Sequence, residues 1–140
     1  MINGDLGSIK LNHLGVAVPS IEAALPFYER FFGYRIVSGP FQDPIQSVSV
    51  CFLGTDEHSD VTVELVEPHG DQSPVSKILS KDIGAYHLCF EVQDIDHALS
   101  QARLHRCIIV SDPVPAVAFN GRLIAWFYTP TRQLVEILAQ

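Results

Sequence analysis

Two histidines and two glutamates carry the chemistry open to this chain. His13 stands in Asn12-His13-Leu14-Gly15-Val16-Ala17-Val18, and His87 in Tyr86-His87-Leu88-Cys89-Phe90-Glu91-Val92, 74 residues further on. Glu64 lies in Val63-Glu64-Leu65-Val66 and Glu136 in Val135-Glu136-Ile137-Leu138, 72 residues apart. A buried carboxylate is costly unless it is paired or coordinated. Two carboxylates close together repel unless a divalent cation sits between them. Two imidazoles and two carboxylates make a suitable donor set for a divalent metal of borderline softness, with positions left for water or substrate. The commoner roles, a hydrogen-bonded strand or surface histidine and a solvated strand-end glutamate, are expected for His58, His69, His97 and His105 and for Glu67.

What positions the four is an internal repeat. Residues 12–25 and 86–99 are identical at six of fourteen paired positions: the His, the following Leu, the closing Val, then Ile, Ala and Leu. Ile36-Val37-Ser38-Gly39-Pro40 is echoed by Ile109-Val110-Ser111-Asp112-Pro113, at an offset of 73. Repetition at a fixed period decides architecture before residue propensities do. The alternation over Lys10–Val18 predicts a strand, and Ser20 caps a helix over Ile21–Phe32 that Gly33 ends, with Pro26 in its early turns. Strands are expected at Tyr34–Ser38, Val48–Leu53 and Val61–Val66. After a linker with a short helix from Ser73-Pro74 to Leu79, the order repeats. A strand over Ala85–Val92 leads to a helix capped by Asp94 and running through Leu104. Strands then follow at Cys107–Val110, about Arg122–Tyr128, and Gln133–Leu138, with Asp112-Pro113-Val114-Pro115 read as a loop.

The expected fold is therefore α+β: tandem βαβββ modules forming curved mixed sheets around a central cleft, helices outside. One domain spans residues 1–140, with modules at about 9–67 and 85–139 joined by linker 68–84, and residues 1–8 form a flexible lead. Strand parity puts Leu14, Val16 and Val18 beneath the first helix and His13 on the opposite face; Leu88, Phe90 and Val92 likewise leave His87 opposite. The same count turns Glu64 and Glu136 away from the helices, so all four polar side chains share the uncovered side.

The bulk properties narrow the partners. A chain of 140 residues that is 47% hydrophobic and 18% charged has a real core and is not disordered. A net charge of −7 argues against nucleic acid and anionic membranes, though not against an anionic ligand at a local patch. The sequence has no apolar run of membrane-spanning length and no basic-then-apolar leader, so a cytoplasmic protein is expected. Cys51, Cys89 and Cys107 are odd in number and set in apolar strands, as buried reduced thiols would be.

Taken together, His13-Leu14-Gly15-Val16-Ala17-Val18 with Phe27-Tyr28, Val63-Glu64-Leu65-Val66-Glu67-Pro68 with Ser73-Pro74, the His87 segment, Gly121-Arg122-Leu123-Ile124-Ala125 and Val135-Glu136 carry a resemblance. The chain resembles the vicinal oxygen chelate superfamily, which comprises glyoxalases, bleomycin-resistance proteins and extradiol dioxygenases, and within it the methylmalonyl-CoA epimerase branch. The resemblance implies that His13, His87 and Glu136 hold a divalent metal (Co, Mn, Ni or Zn), with Glu64 at a fourth position that is Gln or Glu in relatives. It implies proton abstraction beside a carbonyl through a metal-stabilised enolate, with Glu136 and Glu64 as catalytic carboxylates. The substrate would be a small acyl thioester, an acyl-CoA among them, or a 2-oxo compound; the reaction would be an epimerase or isomerase step, or a lyase. A homodimer is implied too.

One position departs from the branch. Relatives place a second base, a Glu, just before Gln-Gly at the head of the third strand; here Ile45 stands there, followed by Gln46, with Asp43 two residues earlier. Arg122, Gln46 and Phe119 are the substrate-binding candidates, with Lys77 a weaker cation and Trp126 a second aromatic. Two other readings fit the same scaffold: an extradiol dioxygenase using His13, His87 and Glu136, and a non-catalytic ligand-binding protein of the bleomycin-resistance kind. Four retained donors weigh against the latter, and a fourth protein ligand weighs against oxygen activation.

Overall fold

Alternating apolar residues draw the segment Lys10–Ala17 into strand β1, and from there the element order follows the repeat. The computed structural model describes residues 4–140; residues 1–3 of the expected lead, and of the expected 1–140 domain, lie outside the described residues. The chain divides into two units, residues 13–86 and residues 4–12 with 87–140, each with its own set of parallel and antiparallel strands and with helices laid against them. No helix among the described residues is long and apolar enough to cross a membrane.

In the first unit the strands lie in the order β2 (Arg35–Asp43), β3 (Val48–Gly54), β4 (Thr62–Pro68), β1. β1 runs parallel to β4, and the other neighbours are antiparallel. Ser20 caps α1 (Ile21–Phe27) by accepting the Ala23 N–H at 3.2 Å. The helix predicted over Ile21–Phe32 changes character halfway: Tyr28–Phe32 winds as a π-helix before Gly33 ends it at φ 71°. Pro26 sits in the turns ahead of this change, where it lacks the N–H for an intrahelical bond and its ring crowds the preceding turn. Ile21, Ala24, Leu25 and Tyr28 pack onto a core of Val18, Cys51, Leu53 and Leu65. Glu67, expected in solvent, instead accepts the Ile21 N–H at 2.8 Å and so caps α1 from 46 residues away. The short helix α2 (Pro74–Ser80) starts where Ser73 and Pro74 predict.

In the second unit the order is β5 (Ala85–Val92), β9 (Leu134–Ala139), β8 (Leu123–Tyr128), β6 (Ile108–Ile109), with β7 (Val114–Pro115) also pairing β8. β5 is parallel to β9, which repeats the β1–β4 relation. The strand predicted at Cys107–Val110 is shortened to Ile108–Ile109. Val114–Pro115, expected in a loop, forms a separate short edge piece, where a proline's missing N–H is tolerated. Asp94 caps α3 (Ile95–Leu104) by accepting the His97 N–H. Ile95, Ala98, Leu99 and Ala102 of α3 pack on Val92, Ala125, Phe127, Val135 and Ile137. Residues 4–8 are not a free lead, because Asp5 pairs with His105, its carbonyl meets His97, and Leu6 packs on this core.

Candidate metal centre

Each unit builds the same arrangement once. In the first, His13 on β1 is fully buried and Glu64 on β4 is 7% exposed. The parallel register sets Gly15 opposite Glu64, and His13 Nε2 lies 3.3 Å from Glu64 Oε1. On the other side of β4, Phe52 of β3 pairs with Glu64 and meets the His13 ring nearly at right angles, centroids 5.4 Å apart at 72°. In the second, His87 on β5 is 3% and Glu136 on β9 is 4% exposed. Cys89 is opposite Glu136, and His87 Nε2 lies 3.5 Å from Glu136 Oε1. Trp126 of β8 pairs with Glu136 and meets the His87 ring at 4.8 Å and 81°.

The alternation explains the placement. Val16 and Val63 join the α1 core and Phe90 and Val92 the α3 core, so the odd-numbered His and even-numbered Glu positions fall on the other face. Leu88 breaks the pattern and is 37% exposed. On the Glu136 face of the second sheet, Cys89, Ala116, Ile124 and Leu138 form an apolar cluster joined by Phe119 and Trp126. Phe52 is the member that sequence reasoning missed. Its signal was present, since 52 and 126 differ by the 74 residues that separate the histidines.

Four ionisable groups buried among apolar side chains are a donor set looking for a cation. An imidazole offers a neutral nitrogen and a carboxylate a negative oxygen, the ligand types that zinc-like divalent ions take. The chemistry of each pair, His13 with Glu64 and His87 with Glu136, fits a divalent ion. The electrostatics spread to neighbouring groups: burial, with the charges of Glu64 and Glu67, pushes the Cys51 thiol up to about 11 and keeps it inert. Cys51 and Cys89 are buried and Cys107 partly so, and no disulfide joins any two of them.

The remaining sequence candidates sit in settings of their own. Arg122 is tied to internal acceptors: its Nε donates to the Ala139 carbonyl at 2.8 Å and its Nη2 to Glu91 Oε1 at 2.7 Å. That bond holds the Glu91 carboxyl below its ordinary value, aided by the amide of Asn12. Gln46 is half-buried in the β2–β3 turn, where its N–H and that of Ile45 both bond Asp43 Oδ1. Ile45 is 57% exposed, while Asp43 is 5% exposed and, being paired with Val48, shares the Phe52 face of the sheet. Lys77 is exposed on α2.

Comparison with known proteins agrees with this architecture. Residues 12–126 match the Glyoxalase/Bleomycin resistance protein/Dioxygenase superfamily. The chain is 32% identical over 140 residues to the mitochondrial methylmalonyl-CoA epimerase of Dictyostelium discoideum, covering 97% of this chain and 81% of that one. To the mitochondrial methylmalonyl-CoA epimerase of Homo sapiens it is 33% identical over 117 residues, 82% of this chain and 64% of that one. Among solved structures, a hypothetical protein from Bacillus halodurans superposes with a TM-score of 0.82 over 95% of both chains at 28% identity. The methylmalonyl-CoA epimerase of Mycobacterium tuberculosis shares the fold with a TM-score of 0.84, over 99% of this chain and 92% of that one, at 21% identity. With its duplicated order of elements, this chain belongs to the Glyoxalase/Bleomycin resistance protein/Dioxygenase superfamily.

Proposed function

We propose that this chain is an isomerase of the epimerase kind that moves a proton at the carbon beside the carbonyl of an acyl-CoA. The observation that carries the reading is the buried His–Glu pair with an aromatic ring nearly at right angles to its imidazole, built once in each unit. The named activity of the relatives supports the substrate class. We assign one divalent cation to His13, Glu64, His87 and Glu136; when bound it supplies Lewis-acid stabilisation of negative charge developing on a carbonyl oxygen.

The residues of the chain do the rest. Glu136 accepts the proton from the α-carbon on a carboxylate oxygen, and the C–H electrons pass toward the carbonyl oxygen. The His87 imidazole, 3.5 Å from Glu136, fixes that carboxylate, and the apolar cluster around Cys89 and Leu138 keeps water away. Glu64 plays the matching part beside His13, and Phe119, Gln46 and Arg122 are the substrate-side contacts in this proposal. With Ile45 in the β2–β3 turn, no carboxylate stands where relatives carry their second base. Proton return to the opposite face is therefore the slower event, and exchange with solvent outruns inversion.

The test is solvent deuterium uptake into a panel of 2-substituted acyl-CoAs, with Co(II) or Mn(II) and without. Uptake that needs metal, exceeds inversion and falls about 10²- to 10⁴-fold in Glu136→Gln supports the proposal. No uptake on any member with metal bound refutes it. Three cysteines with no disulfide among them suit a reducing compartment, the cytoplasm in this proposal. A homodimer completes it, and sedimentation at micromolar concentration decides that point.

A further inference from the structure

Arg106 and Arg132 both hold the left-handed backbone conformation, with φ of 64° and 65°. Residues with a Cβ other than Asn and Asp seldom do so, because that atom crowds the following carbonyl. Arg106 ends α3 in a motif that favours glycine: its N–H bonds the Arg103 carbonyl, and the Cys107 N–H bonds the Ala102 carbonyl. Arg132 closes the tight β8–β9 turn, its N–H on the Thr129 carbonyl at 2.8 Å. Between them is an open hollow of about 570 Å³ lined by Arg106, Ile108, Tyr128, Thr129, Pro130 and Arg132. Among the described residues neither guanidinium forms an ion pair or a side-chain hydrogen bond, although acidic residues outnumber basic ones sixteen to nine. Strained backbone kept at two sites on one rim points to a ligand.

The position of the hollow says which ligand. Ile108 pairs with Tyr128, Tyr128 with Leu134, and Trp126 with Glu136. Paired residues share a face, so the hollow's apolar floor lies on the side of the sheet that carries His87, Trp126 and Glu136. Glu136 lies four positions along the chain from Arg132, at most about 13 Å when extended. Beside Glu136, as its partner on β8, stands Trp126, whose buried indole N–H has no acceptor among the described residues, and Tyr128 leads from there toward the turn.

We propose that this hollow binds the phosphates of a coenzyme A tail, with Trp126 Nε1–H donating to a carbonyl of the pantetheine arm. An extended pantetheine arm covers the distance from Glu136. Guanidinium forks match phosphate oxygens, and the Tyr128 and Ile108 floor suits the nucleoside. The inference rests on the acyl-CoA reading above and adds the subsite that selects for the nucleotide end.

The test compares wild type with R106Q/R132Q on an acyl-CoA and on the same acyl group carried by pantetheine, and titrates adenosine 3′,5′-bisphosphate and inorganic phosphate by calorimetry. Selectivity for the CoA thioester, as the ratio of kcat/KM values, falls about tenfold in the double variant. Bisphosphate binding is lost with it. R106G/R132G, which relieves the left-handed backbone, folds at least as well and loses the same selectivity. An unchanged ratio overturns the proposal. If wild type turns over neither thioester, the proton-transfer reading fails and the bisphosphate titration decides alone. Binding lost in both double variants then supports the subsite; no binding to wild type, binding matched by inorganic phosphate, or binding unchanged in the variants overturns it.

Discussion

Burying a carboxylate beside an imidazole costs free energy that an apolar residue of like volume does not, and this chain does so twice. Removing one member of a pair leaves the other without its neighbour. His13→Ala and His87→Ala should each lower metal affinity by at least about tenfold, read by calorimetry, whereas Glu64→Gln keeps an oxygen donor and most of the affinity. Arg122 belongs to a different ledger. Its bonds to Glu91 and Ala139 are worth about 1 kcal/mol, at the low end because its side chain is 35% exposed. The Glu91 carboxyl is lowered from 4.5 in the folded chain, so its contribution is complete above that pH and is lost as pH falls through the lower folded value. The melting-temperature gap between wild type and Arg122→Gln should hold at neutral pH and narrow below pH 4.5. A gap that is constant down to pH 3 would contradict this. His13, His87, Glu64 and Glu136 were legible because the repeat marks them twice. The Glu67 cap on Ile21 was not, since a bond spanning 46 residues leaves no local pattern.

At the scale of elements, the alternation that sorts strand faces also sets which helix carries each core. Asp94→Ala removes the α3 cap and should cost about 1 kcal/mol in urea unfolding, with no change in the slope. Leu99→Ala empties the centre of that core and should cost about 2–5 kcal/mol. Equal costs for the two would mean that α3 is held by its ends and not by its buried face. The succession of strands and helices along the chain, with the caps at Ser20 and Asp94, could be read from periodicity and capping residues. The π-helical turn at Tyr28–Phe32 could not, because Pro26 signals a disturbed helix without saying how the chain absorbs it. The edge pieces β6 and β7 escaped for a related reason: two-residue strands are too short to show alternation, and pairing with β8 alone defines them.

At the scale of the whole molecule, the proposal makes metal binding a property of both halves of the repeat, since each supplies one histidine and one glutamate. A ligand that binds only the folded chain raises its melting temperature by mass action. Chelation should lower the melting temperature of wild type and leave His13→Ala and His87→Ala variants nearly where they were. The most direct measurement is the stoichiometry of Co(II) or Zn(II) binding by calorimetry on wild type, His13→Ala and His87→Ala. One ion per chain, lost in either variant, is the predicted result. Two ions per chain, or a full site surviving in one variant, would mean that each His–Glu pair acts alone and would contradict the shared centre.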